Sequence, residues 1–384
     1  MQRFYFDHNA TTPLAPEVLE SMVQCLGQVY GNASSIHYFG QGAKQRLEAA
    51  RRQVAALIHA EAAEIVFTGG GTEADNMAVL GVVRGTGRGN RHVITSAIEH
   101  PAVLAPCAQL EREGVAVTRV RVGASGVLNP DDVRRALRPE TVLISVMHAN
   151  NELGTVQPIA EISRVAHEAG ALLHVDGVQA LGKIPVDVNA LGVDLYTMSA
   201  HKVYAPKGVG ALYVRKGTHL EPLAFGGHHE RDRRPGTENV PGIVAFGAAA
   251  ELAGRCLVAD TERVGLLRDR LERAVLDRVP GSGVNGFRWN RTPNTSNIYF
   301  DGIDGEALVI ALDLRGFAVS TGAACSSGAI APSHVLMAIG LDAERARASM
   351  RFSLGRGNTA EQVDALLEAL TASVAHLRRI SVHA

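Results

Sequence analysis

The sequence predicts an α/β fold in which a mainly parallel mixed sheet is covered by helices and followed by a smaller α+β unit. Two observations carry that expectation. Between about residues 64 and 200, short apolar runs alternate with segments of helical period, the pattern of a parallel sheet buried on both faces. After about residue 250 the alternation gives way to long amphipathic stretches and widely spaced strands, which sets 259–384, together with 1–15, apart from a large unit at 16–258. A chain of 384 residues has ample material for both.

The elements follow in order. Residues 1–15 are short and turn-rich, and Pro16-Glu-Val-Leu begins a helix. Leu47, Ala50, Val54, Leu57 and Ile58 recur at helical spacing, leaving Lys44, Arg46, Glu48, Arg51 and Arg52 for a solvated face. Strands are expected at 64–68, 91–96, 115–122, 141–147, 171–175 and 194–198, with helices between them. One of these is 129–137, with Asn129 as N-cap and Pro130 at the first helical position. Beyond 250, 261–279 reads as an amphipathic helix with Val264, Leu267, Leu271 and Val275 on one stripe, ended by Pro280-Gly-Ser-Gly283. Strands at 297–300, 317–321 and 350–353 then alternate with helices at 305–314, 333–339 and 359–379.

Composition narrows the function classes. The chain is 46% hydrophobic and 20% charged, which excludes long disorder, and its net charge of −1 gives no pull towards nucleic acid or an anionic membrane. The N-terminus has no basic stretch leading into an apolar run, and no segment reads as the roughly 20 apolar residues of a membrane span, so a cytoplasmic protein is expected. Four cysteines lie without metal-type spacing, and a chain of this size does not need disulfides. Cys25, Cys107 and Cys256 sit among apolar neighbours and read as buried and inert. Cys325 lies in the small-residue segment 320–332, where an accessible thiolate could attack.

Three further stretches carry polar groups at the ends of apolar strands. Asp194-Leu-Tyr-Thr-Met-Ser-Ala-His-Lys202 delivers Ser199, His201 and Lys202, one of only five lysines, to a strand exit. Desolvation there would favour the nucleophilic neutral amine, whereas the alternative is a solvated loop lysine. Gly69-Gly-Gly-Thr-Glu73 lies between a strand and a helix and is either a plain turn or an anion cradle made of backbone N–H groups and the helix dipole. Asp176 ends the strand 171–175 and is either an N-cap or the partner of a buried positive group, for which the pyridinium nitrogen of pyridoxal 5'-phosphate is a candidate.

Taken in order, these stretches resemble the NifS/IscS-type cysteine desulfurases, within the class V aminotransferases of fold-type I pyridoxal-phosphate enzymes. The matching segments include Tyr5-Phe-Asp-His-Asn-Ala-Thr-Thr-Pro13, Gly31-Asn-Ala-Ser-Ser-Ile-His37, Phe67-Thr-Gly-Gly-Gly-Thr-Glu73, Glu99-His-Pro-Ala-Val103, Asn150-Asn-Glu-Leu-Gly154, His174-Val-Asp-Gly-Val-Gln179, Ser199-Ala-His-Lys202, Arg234-Pro-Gly-Thr-Glu-Asn239, Gly322-Ala-Ala-Cys-Ser-Ser-Gly328 and Arg351-Phe-Ser-Leu-Gly355. They span nearly the whole chain.

The resemblance implies that Lys202 is the Schiff-base lysine and the acid/base that moves the substrate α-proton. It implies that Asp176 holds the pyridine nitrogen, Gln179 the ring hydroxyl, and that His100 stacks on the ring. Gly71, Thr72, Ser199 and His201 would hold the phosphate, with Thr237 reaching in from a second subunit of a homodimer. Asn150 and Arg351 would bind the carboxylate of L-cysteine, and Cys325 would take its sulfur as a persulfide while alanine leaves. The long form of the 320–332 loop resembles the group that feeds iron–sulfur cluster assembly, so a U-type scaffold is the expected acceptor. Three departures are mild: Gly177 stands where Ala is usual, His8 lies in the N-terminal motif, and Ala323 replaces a common Ser. A selenocysteine lyase or another class V lyase or aminotransferase would share Lys202, Asp176 and Arg351, and a non-catalytic scaffold paralogue is a third reading.

Overall fold

In the computed structural model of the chain, which describes residues 2–87, 89–322 and 332–381, twelve strands and twelve α-helices alternate. The strands are β1 (Phe4–Tyr5), β2 (Ile65–Thr68), β3 (His92–Ser96), β4 (Ala116–Val120), β5 (Thr141–Met147), β6 (Leu172–Asp176), β7 (Leu195–Ser199), β8 (Gly210–Val214), β9 (Ser282–Val284), β10 (Thr295–Phe300), β11 (Phe317–Ala318) and β12 (Ser349–Ser353). The helices are α1 (Pro16–Gln28), α2 (Tyr38–Leu57), α3 (Gly71–Gly85), α4 (Pro101–Arg112), α5 (Pro130–Ala136), α6 (Ile159–Glu168), α7 (Val188–Leu191), α8 (Val240–Arg278), α9 (Gly305–Asp313), α10 (His334–Ala338), α11 (Ala343–Arg347) and α12 (Ala360–Ser381).

The large sheet has seven strands in the order β2-β8-β7-β6-β5-β3-β4, parallel throughout except for β8, which runs antiparallel to both neighbours. This is the mainly parallel mixed sheet that the alternation predicted. Every residue of β5, β7 and β8 is buried, which is why these segments read as unbroken apolar runs. β8 was not anticipated, because the turn-rich Ala205–Gly210 masks its start. Register places Met147 beside Asp176 and Asp176 beside Thr197, so the carboxyl ends of β5, β6 and β7 share one edge. Crevices outside such strand ends are where open α/β sheets bind ligands.

A second apolar cluster gathers Phe6, Val264, Leu271, Val275, Phe300, Phe352 and Leu370 around the three-stranded sheet β12-β10-β9. The predicted helix 261–279 is the second half of α8, a single helix that also contributes Val240, Ile243, Phe246 and Ala249 to the first cluster. By length and composition alone one stretch of α8 could cross a membrane, which the sequence reading did not foresee; half of it is buried inside the protein. Its Ala- and Gly-rich composition serves close packing, since a Cβ at Gly247 would lie 2.6 Å from Ala50 Cα of α2. The Asn129 side chain accepts from Asp131 N and caps α5 as expected.

The N-terminal arm is held by distant residues. β1 pairs in parallel with β11, Asp7 bridges to Ser353, and the Asn9 amide donates to Thr295 Oγ1 at 2.8 Å. Thr12 then donates through its hydroxyl to the carbonyl of His201 at 2.9 Å.

Candidate active site

The carboxyl ends of β6 and β7 and the start of α3 surround a cavity of about 270 Å³. Gly71, Thr72, His100, Asp176, Gln179, Ser199, His201 and Lys202, eight residues expected from the sequence, all line it. At Gly71, the first residue of α3, a Cβ would come within 2.9 Å of Val178 Cγ2 and 3.3 Å of Ser199 Cβ, so only glycine leaves the helix N-terminus open there. The preceding turn is tied down by Glu73, whose Oε2 accepts from Gly69 N at 2.7 Å while its Oε1 accepts from Arg234 Nε at 2.9 Å.

His100 caps α4, its Nδ1 accepting from Ala102 N at 3.1 Å. Burial lowers its pKa and outweighs the opposing pull of Asp176, so the ring is held neutral. Asp176 accepts from Val178 N at 3.0 Å, and its pKa is raised by burial against the counter-effects of His100 and Lys202. Lys202 Nζ donates to the carbonyls of Asn9 at 2.6 Å and Ala10 at 2.7 Å, so the N-terminal arm helps to complete the site. His201 Nδ1 meets Thr11 Oγ1 at 3.1 Å, and burial followed by the charge of Lys202 lowers its pKa to about 4.

Asn150, Arg351 and Thr237 do not line this cavity. Asn150 is buried with its amide engaged on both sides: Nδ2 donates to Ile98 O ahead of α4, and Oδ1 accepts from Glu152 N and Leu153 N of its own turn. Asn151, not Asn150, lines the cavity. Arg351 is buried beside it, donating through Nη1 to Asn151 O at 3.1 Å and through Nη2 to Asp7 Oδ1 at 2.6 Å, with Nε lacking a partner among the described residues. Thr237 is exposed and away from this cavity. Cys325 and Ala323 lie outside the described residues.

Sequence reasoning assigned no role to Glu152 or Lys183. Buried Glu152 accepts from Ser333 Oγ at 2.6 Å and packs against Gly322, where a Cβ would lie 2.9 Å from Oε2. Burial raises its pKa against the charge of Arg351. Its place within Asn150-Asn-Glu-Leu-Gly154 was the available signal. For Lys183 the signal was its scarcity and its position four residues after Gln179.

A family profile described as Aminotransferase class-V matches residues 4–366. A Dictyoglomus turgidum protein named cysteine desulfurase IscS is 48% identical over 377 residues, covering 98% of this chain and 96% of that one. The chain belongs to the cysteine desulfurases of the class-V aminotransferase family. Among solved structures, a NifS-like protein superposes with a TM-score of 0.92 at 36% identity, covering 98% of this chain and all of the other. SspA in complex with cysteine superposes with a TM-score of 0.82, also at 36% identity, covering 92% and 99% of the two chains. The desulfurase fold is therefore that of fold-type I, and the enzyme depends on pyridoxal phosphate. The cavity fits that cofactor. A phosphate would find the open N-terminus of α3 at Gly71, and a protonated ring nitrogen would offset the cost of burying the Asp176 carboxylate.

Proposed function

We propose that this cysteine desulfurase converts L-cysteine to L-alanine with Lys202 as the proton carrier and Cys325 as the sulfur acceptor. Bound in the cavity, pyridoxal phosphate supplies an electron sink for charge that develops at the substrate carbon atoms. The observation that carries the reading is the convergence of Lys202, Asp176 and His100 on one cavity, with the phosphate-binding type of helix start at its end.

Asp176 would keep the ring nitrogen protonated, Gln179 would meet the ring hydroxyl, and His100 would cover the ring face. Gly71, Thr72, Ser199 and His201 hold the phosphate. Lys202 takes the α-proton of the bound substrate and returns one on the way to alanine. Arg351 receives the substrate carboxylate, for which its Nε, without a partner among the described residues, is available and Asp7 must share Nη2. Asn150 supports this contact by shaping the turn that brings Asn151 to the cavity. The thiolate of Cys325 attacks the substrate sulfur, a sulfur–sulfur bond forms as the carbon–sulfur bond breaks, and the electron pair left on the β-carbon takes up a proton.

Residues 16–258 form the cofactor-binding domain, and 1–15 with 259–384 the domain that presents Cys325. The working unit is a homodimer in which Thr237 serves the partner's phosphate. Support comes from the exposure of Leu19, Val23 and Leu26 on α1 together with Tyr30, Ile36 and Tyr38, an apolar face suited to a second copy. The acceptor is a U-type scaffold for iron–sulfur clusters, and the setting is the cytoplasm.

The test is alanine released from L-cysteine by the cofactor-saturated protein in the presence of a thiol reductant. Alanine and sulfide should appear in equal amounts, and Cys325→Ala should release neither while still binding cysteine. Alanine formation by Cys325→Ala at the parental rate would overturn the assignment.

A further inference from the structure

Lys183 turns its ammonium inward and donates to Gln179 Oε1 at 2.7 Å. On the other side of the same amide, Gln179 Nε2 donates to the carbonyl of Asn9 at 3.0 Å. A backbone carbonyl can only accept, so Nε2 must face Asn9 and Oε1 must face Lys183. Lys183 therefore donates to this amide whether it carries its proton or not. The Asn9 carbonyl also takes Lys202 Nζ at 2.6 Å, so a continuous chain of hydrogen bonds runs from Lys183 through Gln179 and Asn9 to Lys202. The lysine's own backbone is fixed from α8, where Thr261 Oγ1 donates to the Lys183 carbonyl at 3.1 Å.

We propose that Lys183 is a positioning residue for the cofactor: by donating to Oε1 it holds and polarises the Gln179 amide so that the second N–H of Nε2 is presented to the ring oxygen. A carboxamide has two N–H donors, and Asn9 occupies one of them. The other is then fixed for an oxygen that gains stability from a donor when it is ionised. Donation into the amide oxygen strengthens donation from the amide nitrogen, since hydrogen bonds in a chain polarise one another. The proposal rests on the reading of Gln179 as the partner of the ring hydroxyl. Among the charged groups around Lys183, Lys202 and Arg351 reinforce the lowering of its pKa by burial, and Lys183 in turn depresses His8 and His201. Asp260 and Arg356 line the small cavity that Lys183 and Lys202 share.

The test is the pH midpoint of the visible absorption of the bound cofactor in the holoenzyme. An N–H donor stabilises the ionised ring oxygen, so its loss raises the midpoint. Lys183→Met and Gln179→Ala should each raise it by roughly 0.5–1 unit, the effect of one ordinary hydrogen bond. The double variant should lie no higher than Gln179→Ala alone, because both changes remove one interaction. Lys183→Gln, which keeps a donor without a charge, should return the midpoint close to that of the parent. Additive shifts in the double variant would overturn the proposal by making Lys183 a bare charge. So would a Lys183→Met protein that loses thermal stability with an unmoved midpoint. If Gln179→Ala itself leaves the midpoint unmoved, the reading of Gln179 falls and takes the proposal with it. A shift in Gln179→Ala without one in Lys183→Met overturns only the role of Lys183.

Discussion

Tyr196 explains a residue that the family resemblance marks as unusual. A Cβ added at Gly177, where Ala is common, would land on the Tyr196 ring, whose hydroxyl is held by His148 Nδ1 at 2.9 Å. Gly177 and Tyr196 thus form a matched pair, and Gly177→Ala should cost about 1–3 kcal/mol of stability by overpacking. Urea denaturation in a Tyr196→Leu background should show that cost cut by more than half; an equal cost in both backgrounds would refute the packing account. Residues at strand ends, such as Asp176 and Lys202, were legible in the sequence because a polar group following an apolar run is conspicuous. Lys183 and Glu152 were not, because Gln179 and Asn9 give Lys183 its meaning, and Ser333 and Gly322 give Glu152 its own. The commitment of Asn150 to its own turn was hidden for the same reason.

The segment that carries Thr237 is fastened at two points, to β2 and to the turn that leads into α3. Glu230 accepts from both Arg51 Nη atoms at 2.7 Å and from Phe67 N of β2 at 2.8 Å, and Arg234 reaches Glu73. Glu230, Arg231 and Asp232 are three successive non-glycine residues with φ of 43°, 58° and 64°, a backbone conformation costing roughly 1–2 kcal/mol per residue that the buried pair holds in place. Glu230→Gln removes the buried counter-charge of the Arg51 guanidinium, leaving only the half-exposed Glu48 beside it, and should cost about 3 kcal/mol. Denaturant titration should show it, with a smaller loss in Arg51→Met/Glu230→Leu and weaker cofactor retention in both. An unchanged midpoint in Glu230→Gln would contradict this role. At this scale the parallel strands were readable from their apolar runs, whereas β8 hid behind a turn. The fusion of 240–260 with 261–278 into α8 was missed because small residues blur the helical period.

Over the whole molecule, buried titratable groups set a window of stability. His8, His92 and His148 have pKa values lowered to about 4 and His174 to about 3, in each case first by burial. A folded value below the ordinary 6.5 means that the unfolded chain binds protons first, so stability is full above about 6.5 and is lost as pH falls through 4. Glu99 acts in the opposite sense. Burial raises its carboxyl from 4.5 to about 8, so its contribution is complete below 4.5 and is lost as pH rises through 8. Calorimetry should therefore find the highest melting temperature near pH 6–7, and Glu99→Gln should make the alkaline side shallower without removing it, because burial also raises Asp75, Glu152 and Asp176; a melting temperature that kept rising to pH 9 would count against this balance. Sedimentation should find a dimer, with Leu19→Glu/Val23→Glu shifting it to monomer. The N-terminal arm adds a consequence for how the enzyme is made. Asn9, whose carbonyl holds Lys202, is itself held by Thr295 and by the hydroxyl of Ser353, 344 positions further on. On a ribosome that adds roughly 5–20 residues per second, roughly 20–70 seconds pass between them. Until then the arm has its contacts with Gln179 and His201 but not the two hydroxyls that fix Asn9, so a product cut short before β12 would carry its lysine against an arm fastened on one side only.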